Sequence, residues 1–204
     1  MHIVDGALSV PVLAAGAVAT VVGVAIGLKK LDYDHLPQVG ILASAFFVAS
    51  YIHLPVGFSS VHLILNGLIG VILGWAAFPA LLVALLLQAV FFGFGGFLVL
   101  GVNTFNIAMP AVIVYYLCHR GIAGQKHAAI WGGVAGAGAI FLTALFVALS
   151  LALSGDSFLL AAKATMVAHI PVMIVEGFVT AAAVVLVRKV KPELLNLPED
   201  WNAA

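Results

Sequence analysis

Long uninterrupted apolar runs constrain this chain more than any other feature of its sequence. A helix needs about 20 mostly apolar residues to cross about 30 Å of hydrocarbon, and such runs recur from residue 7 to residue 187. Asp, Glu, Lys and Arg make up only 8% of the 204 residues, against roughly 25% in soluble domains. A soluble globule could not hide this much apolar surface. The sequence therefore predicts an integral membrane protein and excludes a soluble enzyme, a disordered protein and a nucleic-acid binder.

Seven segments have the composition of membrane spans, and their internal glycines and continuous apolar character favour helices over a β-barrel. The predicted spans are 7–28, 39–56, 61–77, 80–100, 104–118, 128–154 and 160–187. We predict an all-α integral membrane protein with seven transmembrane helices in one domain, preceded by segment 1–6 and followed by tail 188–204. A single cysteine, Cys118, excludes a disulfide scaffold.

The basic residues test this topology. With the N-terminus outside, segments 29–38, 75–79, 119–127 and 188–204 face the cytoplasm and hold every Lys and Arg except Lys163. That distribution satisfies the positive-inside rule and predicts a cytoplasmic C-terminus. The first residues lack the basic region of a signal peptide, so we expect span 7–28 to be retained and the terminal amine to face outward.

Small residues recur at helical spacing in two spans. Ala19, Gly23 and Gly27 lie four residues apart in the first, and Gly132 and Gly136 repeat the spacing in the sixth. Small residues let helix backbones approach closely in lipid. The pattern predicts either packing within the bundle or a docking face for another membrane subunit.

The first two residues form a candidate metal chelate. The Met1 amine, the His2 amide nitrogen and the His2 imidazole can close two fused rings on one ion. A deprotonated amide favours a square-planar arrangement, and tetragonal nitrogen coordination suits Ni(II) or Cu(II). Three donors leave one in-plane position for a further histidine.

His62 is the candidate for that position. Ser59 or Ser60 is predicted to cap the third span, which places His62 in its first turn and Asn66 one turn further on the same face. His62 is then either an interfacial residue of a capped helix or the fourth donor. In the second case Asn66 or a serine would hold the other ring nitrogen.

Two further groups of polar residues are candidates for supporting roles. Segment 101–106, with Asn103 and Asn106, is predicted as an outer loop whose amides serve either as turn residues or as supports for the inserted N-terminal segment. Asp5-Gly6 is predicted as a turn that lets the first residues fold back.

One acid and one histidine lie inside the last span. Glu176 is either functional or a protonated group bonded to a neighbouring helix, since a carboxylate in lipid is costly. His169 is two turns away, and Pro171 is predicted to kink the helix between them. Both side chains could therefore face one polar interior path. The sequence lacks a phosphate-binding loop, a zinc-protease pair and a serine nucleophile elbow.

The motifs together resemble the CbiM/NikM family, the substrate-specific membrane subunits of cobalt and nickel energy-coupling-factor importers. The residues that carry the resemblance are Met1-His2-Ile3-x-Asp5-Gly6, Pro55-Val56-Gly57-x-Ser59-Ser60-Val61-His62-Leu63 with Asn66-Gly67-Leu68, Gly101-Val102-Asn103-x-x-Asn106 with Met109-Pro110-Ala111, and His169-Ile170-Pro171 with Glu176-Gly177. They extend over nearly the whole chain. Val4 and Phe58 depart from the pattern, because many relatives have proline there.

The resemblance implies a seven-helix subunit of a prokaryotic plasma membrane, with its N-terminal segment inserted from outside. The Met1 amine, the His2 amide and imidazole, and His62 would hold Co²⁺ or Ni²⁺ as cargo, with no permanent cofactor. The implied partners are a transmembrane coupling subunit, ATPase subunits and a small auxiliary membrane protein. The auxiliary protein would be separate because this chain ends without extra helices. Family members of this kind supply cobalt for cobalamin biosynthesis and are not enzymes.

Two other functions remain open from the sequence. One is a stand-alone secondary transporter or channel that uses His169 and Glu176. The other, an intramembrane enzyme or assembly subunit, is disfavoured because no paired catalytic groups are visible. The nitrogen donors do not separate cobalt from nickel, although a square-planar site would favour nickel.

Overall fold

The structure, a computed structural model, describes residues 3–56, 59–124 and 126–195. By length and apolar composition, five helical stretches could cross a membrane: Val10–Lys30, Asn66–Phe92, Leu100–Ala123, Ala128–Ala152 and Asp156–Val190. The second and the fifth each contain two successive α-helices. The expectation of a multi-pass, mainly helical membrane protein is confirmed. The number of spans and the orientation of the termini remain predictions.

Eight α-helices and one short β-hairpin form the described part of the chain. The elements are α1 (Val10–Lys30), α2 (Leu36–Ala49), β1 (His53–Val56), β2 (Ser59–His62), α3 (Asn66–Leu73), α4 (Ala77–Phe92), α5 (Leu100–Ala123), α6 (Ala128–Ala152), α7 (Leu159–Ala168) and α8 (Ile170–Val190). Short 3₁₀ turns precede α2, α4 and α7 and follow α8.

The predicted all-α class is confirmed, but one β-hairpin replaces helix at residues that were assigned to the second and third predicted spans. Strands β1 and β2 pair antiparallel, with His53 opposite His62. The predicted capped helix opening at His62 is therefore wrong, since α3 begins only at Asn66. Non-helical backbone at membrane depth is tolerated where it is buried in protein. Pairing the two strands satisfies backbone N–H and C=O groups, which would find no hydrogen-bond partners in lipid. The segment 53–62, which is too short for a helical crossing, therefore forms a hairpin.

The second correction concerns segment 101–106, which belongs to α5 and is not an outer loop. Helix α5 has 24 residues and starts at Leu100, so the span predicted as 104–118 is longer than expected. The Thr104 hydroxyl donates to the Leu100 carbonyl at 2.8 Å, as in an ordinary first helical turn. The asparagines suggested a turn, but both are buried and bonded to other segments, which a helix permits.

Helices α3 and α4 run in opposite directions. Asn66 donates to the Ile107 carbonyl, and Gly74 lies against Tyr115, so α3 runs parallel to α5. The chain reverses at Gly74, whose φ of 52° suits glycine. Helix α4 then ends at Phe92, against Tyr51 just beyond α2. The predicted third and fourth spans thus match two separate helices. Helix α3, with eight residues, is much shorter than the about 20 residues that a membrane crossing needs.

The bundle has two chemically different ends. At the basic end, the Lys30 ammonium lies 5.9 Å from the Trp75 ring, and Arg188 donates to the Gly124 carbonyl at 2.8 Å. At the N-terminal end, an apolar cluster joins Ile3 and Leu8 to residues of α5, α6 and α7. Ala162 belongs to this cluster, which places the neighbouring Lys163 at the end opposite the other basic residues.

The glycines at helical spacing pack inside the bundle. A Cβ on Gly27 would lie 2.7 Å from the Pro79 ring, and one on Gly132 would lie 3.0 Å from Val184. Gly23 and Gly136 are equally close to Phe78 and Thr180. Of the two interpretations, internal packing is confirmed for these four positions.

Candidate metal-binding site

The N-terminal segment is held at the start of α5 by a two-sided amide clamp. The Ile3 N–H donates to Asn103 Oδ1 at 3.1 Å, and Asn103 Nδ2 donates to the Ile3 carbonyl at 3.0 Å. Ile3 and Asn103 are both buried. Because the clamp takes both backbone groups of Ile3, it fixes the position and direction of the chain that leads back to residue 2.

Asp5 supplies a second anchor for the same segment. The Val99 N–H donates to Asp5 Oδ1 at 3.1 Å, so the carboxylate lies beside the N-terminal end of α5, where negative charge is favoured. Gly6 follows with a φ of 87°. The predicted Asp5-Gly6 turn is confirmed, and it returns the chain toward α1.

His62 ends strand β2 and is buried, with 6% of its surface exposed. Its Nδ1–H donates to the Leu63 carbonyl at 2.8 Å. A carbonyl can only accept, so this bond fixes the tautomer in which Nε2 carries the lone pair. Metal-bound imidazoles are commonly oriented in this way.

Glu176 fixes the junction between β2 and α3. Its Oε1 accepts from the Ile64 N–H at 2.5 Å and from the Leu65 N–H at 2.8 Å. Leu65 precedes α3 with a φ of 57°, a left-handed conformation that costs a non-glycine residue free energy. Of the two interpretations of Glu176, a bond to a neighbouring segment is the one observed. Its partners are the backbone N–H groups of Ile64 and Leu65, which begin two residues after His62.

Asn66 and Asn106 connect helices. Asn66 Nδ2 donates to the Ile107 carbonyl and to Thr143 Oγ1, which joins α3 to α5 and α6. Asn106 Nδ2 donates to Ser150 Oγ at 3.1 Å, between α5 and α6. In the part of the chain that the structure describes, neither side chain supports the His62 ring or the N-terminal segment.

The clamp lies near the start of α5. Asn103 is one turn, about 6 Å, before Ile107 along this helix, and the Ile107 carbonyl accepts from Asn66. The clamp is therefore on the N-terminal side of the bond that joins α3 to α5.

Several predicted site residues are outside the described part. Met1 and His2 lie outside the described residues, as do the side chains of Ser59 and Ser60. Among residues 3–56, 59–124 and 126–195, no three His, Cys, Asp or Glu side chains form a metal-binding group. Of the two interpretations of Asn103, support of the N-terminal segment is observed. The Glu176 contact could not be read from the sequence, although the isolated buried acid was the one visible signal for it.

Comparison with known proteins gives the family. Residues 2–194 match the sequence profile described as the cobalt uptake substrate-specific transmembrane region, CbiM. The chain belongs to the CbiM family. It is accordingly a multi-pass membrane protein and a substrate-specific transmembrane component of cobalt or nickel uptake, in a family of transport proteins.

Relatives of this CbiM-family chain have similar descriptions. A putative metal transport protein of Haemophilus influenzae is 45% identical over 208 residues, which cover 99% of this chain and all of that protein. The fused nickel transport protein NikMN of Rhodobacter capsulatus is 36% identical over 96% of this chain and 64% of its own length. The cobalt transport protein CbiM of Sorangium cellulosum is 30% identical over 96% of this chain and 95% of that protein.

A solved structure has the same fold. The crystal structure of a transition metal transporter, 30% identical, superposes with a TM-score of 0.75 over 100% of this chain and 99% of that one. The fold shared with that transporter therefore extends over the whole length of both chains.

We expect the substitution Asn103→Ala to weaken metal binding more than it weakens the fold. Both bonds to Ile3 would be lost, and with them the anchor of the residue next to the proposed chelate. Removing supports of this kind typically lowers metal affinity about 10–100-fold. Calorimetric titration with Ni²⁺ measures the change. Asn106→Ala is the matched control, because it removes an amide from the same helix that, among the described residues, bonds Ser150 and not the N-terminal segment. Equal losses in both variants would contradict a clamp function.

Proposed function

We propose that this chain captures Co²⁺ or Ni²⁺ outside the cell as the substrate-binding subunit of an ATP-driven energy-coupling-factor importer. The ligands are the Met1 amine, the His2 amide nitrogen and imidazole, and His62 through Nε2. Segment 1–6 forms the chelating part, within a single polytopic domain.

The clamp on Ile3 is the observation that carries the proposal. It fixes the residue that directly follows Met1 and His2 in the sequence, and His62 is itself buried. Two residues span at most about 7 Å, which suits a short chelate that reaches a neighbouring imidazole. The fixed tautomer of His62 presents the nitrogen that such a site needs.

The topology of the proposal follows from charge. The basic end, which carries Lys30 and Arg188, is assigned to the cytoplasm by the positive-inside rule. The N-terminal end with Ile3 and Asn103 then faces outward. The proposal has seven crossings. They are α1, α2, α3, α4, α5, α6 and the pair α7–α8, where α2 and α3 each cross together with the non-helical segment next to them.

The ion is a borderline divalent metal. Relatives are named for cobalt in one case and for nickel in another, and nitrogen ligands suit both ions. The energy source is external to this chain, since its sequence contains no phosphate-binding loop. We therefore include ATPase subunits, a transmembrane coupling subunit and a small auxiliary membrane protein in the proposed complex.

Titration of the purified protein with Ni²⁺ and Co²⁺ tests the proposal. We expect one ion per chain and a loss of affinity of at least about 100-fold in His62→Ala, because a ligand has more effect than the groups that orient it. His35→Ala is the control, since His35 is exposed near the basic end. Unchanged binding in His62→Ala would overturn the site.

The alternative of a stand-alone transporter finds less support. Glu176, its main candidate for carrying charge, is bonded through Oε1 to two backbone amides. Metal uptake into vesicles that contain this chain without any ATPase would favour the alternative and contradict the importer.

A further inference from the structure

His169 is a buried imidazole at a break between two helices. It follows α7 and precedes α8, and only 4% of its surface is exposed. A polar ring inside a membrane span is costly unless it has partners, so a buried histidine there is a candidate functional residue.

One ring nitrogen of His169 is fixed and the other is vacant. Nδ1–H donates to the Thr165 carbonyl at 2.5 Å, so Nε2 carries the lone pair. Nε2 is buried and has no hydrogen-bond partner among the described residues. Metal-ligating imidazoles show this combination, with one nitrogen bonded to a backbone carbonyl and the other left for the ion.

His62 is oriented in the same way. Its Nδ1–H also donates to a backbone carbonyl, that of Leu63. The chain thus carries two buried histidines, on β2 and before α8, in each of which Nδ1–H donates to a backbone carbonyl.

Helix α8, which follows His169, contacts the segment around His62. His169 and Glu176 are seven residues apart, so they share a face of α8 and differ by about 10 Å along its axis. Glu176 is bonded to Ile64 and Leu65, which follow His62 by two and three residues, and strand β1 pairs His53 with His62. Helix α8 also lies against strand β1 of the hairpin.

From this placement we propose that His169 supplies, through Nε2, an additional nitrogen ligand to the transported ion. The inference rests on the proposed function, and adds a donor outside the plane formed by the N-terminal chelate and His62. Its chemical consequence is selectivity. Ni(II) with four strong in-plane nitrogens is satisfied as a square-planar ion, whereas Co(II) gains from a fifth ligand. His169 then favours cobalt.

Comparison of His169→Gln with the parent chain tests this proposal. The control is His35→Gln, the same exchange at an exposed position. Affinities for Co²⁺ and for Ni²⁺ are measured by calorimetric titration of the full chain in detergent. We expect His169→Gln to lose at least about tenfold in Co²⁺ affinity and to change Ni²⁺ affinity much less. Equal affinities in variant and parent for Co²⁺ would overturn the inference.

A second measurement needs no variant. X-ray absorption of the cobalt-loaded parent chain counts bound imidazoles, and we expect three, from His2, His62 and His169. A count of two would overturn the inference while leaving the proposed function in place. Failure of the proposed function has a different signature: the parent chain binds neither ion, or His62→Ala binds both as the parent does.

Discussion

One additional alanine ahead of Met1 should abolish high-affinity binding of Ni²⁺ and Co²⁺. The extension changes no side chain, but it converts the Met1 amine into an amide and moves the free amine one residue away. The fused chelate rings can then no longer form around the same ion. Because a donor is lost, we expect at least about a 100-fold loss of affinity, more than the loss of a supporting group produces.

The control for this extension is the same alanine added after Ala204, at the other end of the chain. Intact-protein mass spectrometry establishes which first residue each preparation carries, and calorimetric titration gives the affinities. His2→Ala should behave like the N-terminal extension, because it removes the imidazole of the same chelate. Full affinity in the extended protein would show that the Met1 amine is not a ligand.

Sequence reasoning succeeded where a single physical requirement decides the structure. The length of an apolar run needed to cross a bilayer identified α1 and α6 within a few residues. Clustering of the basic residues is also reproduced, since Lys30 and Arg188 lie at one end of the bundle. Close packing explains the glycines at helical spacing, because Gly27 and Gly132 leave no room for a side chain.

It failed where tertiary contacts replace local rules. Asn103 was expected either to form a turn or to support the N-terminal segment. It does bond Ile3, a residue 100 positions away, but it does so from within a helix that begins before it, not from a loop. The strands β1 and β2 also read as parts of apolar helices. They pair with each other as a hairpin, and helix α8 lies against β1; the segment 53–62 alone does not reveal this contact.

The same limit applies to Glu176, whose function depends on partners 111 and 112 residues away. From sequence it was a costly acid in a membrane span. The structure makes it the acceptor for two N–H groups at the start of α3, a short helix preceded by Leu65 in a left-handed conformation. A strained residue of this type persists only if its surroundings determine it, and these two bonds do so.

We expect Glu176→Ala to destabilise the protein and to weaken metal binding together. Two buried N–H groups lose their acceptor, each at a cost of about 1–3 kcal/mol. The left-handed Leu65 is then free to relax, which moves the strand that ends at His62. Affinity for Ni²⁺ should fall about 10–100-fold, as for other groups that orient a ligand. Thermal unfolding in detergent and calorimetric titration give the two quantities.

Glu176→Gln separates positioning from charge. The glutamine carbonyl can accept both N–H groups, so this variant should recover most of the affinity and stability lost in Glu176→Ala. Thr20→Ala is the matched control for stability alone, because it removes a buried hydroxyl bonded to Gly101 at 2.6 Å, with no connection to the β2–α3 junction. If Thr20→Ala weakens Ni²⁺ binding as much as Glu176→Ala does, the effect reflects general destabilisation. If Glu176→Gln binds as poorly as Glu176→Ala, the negative charge itself is required, and Glu176 acts on the ion by more than its hold on Ile64 and Leu65.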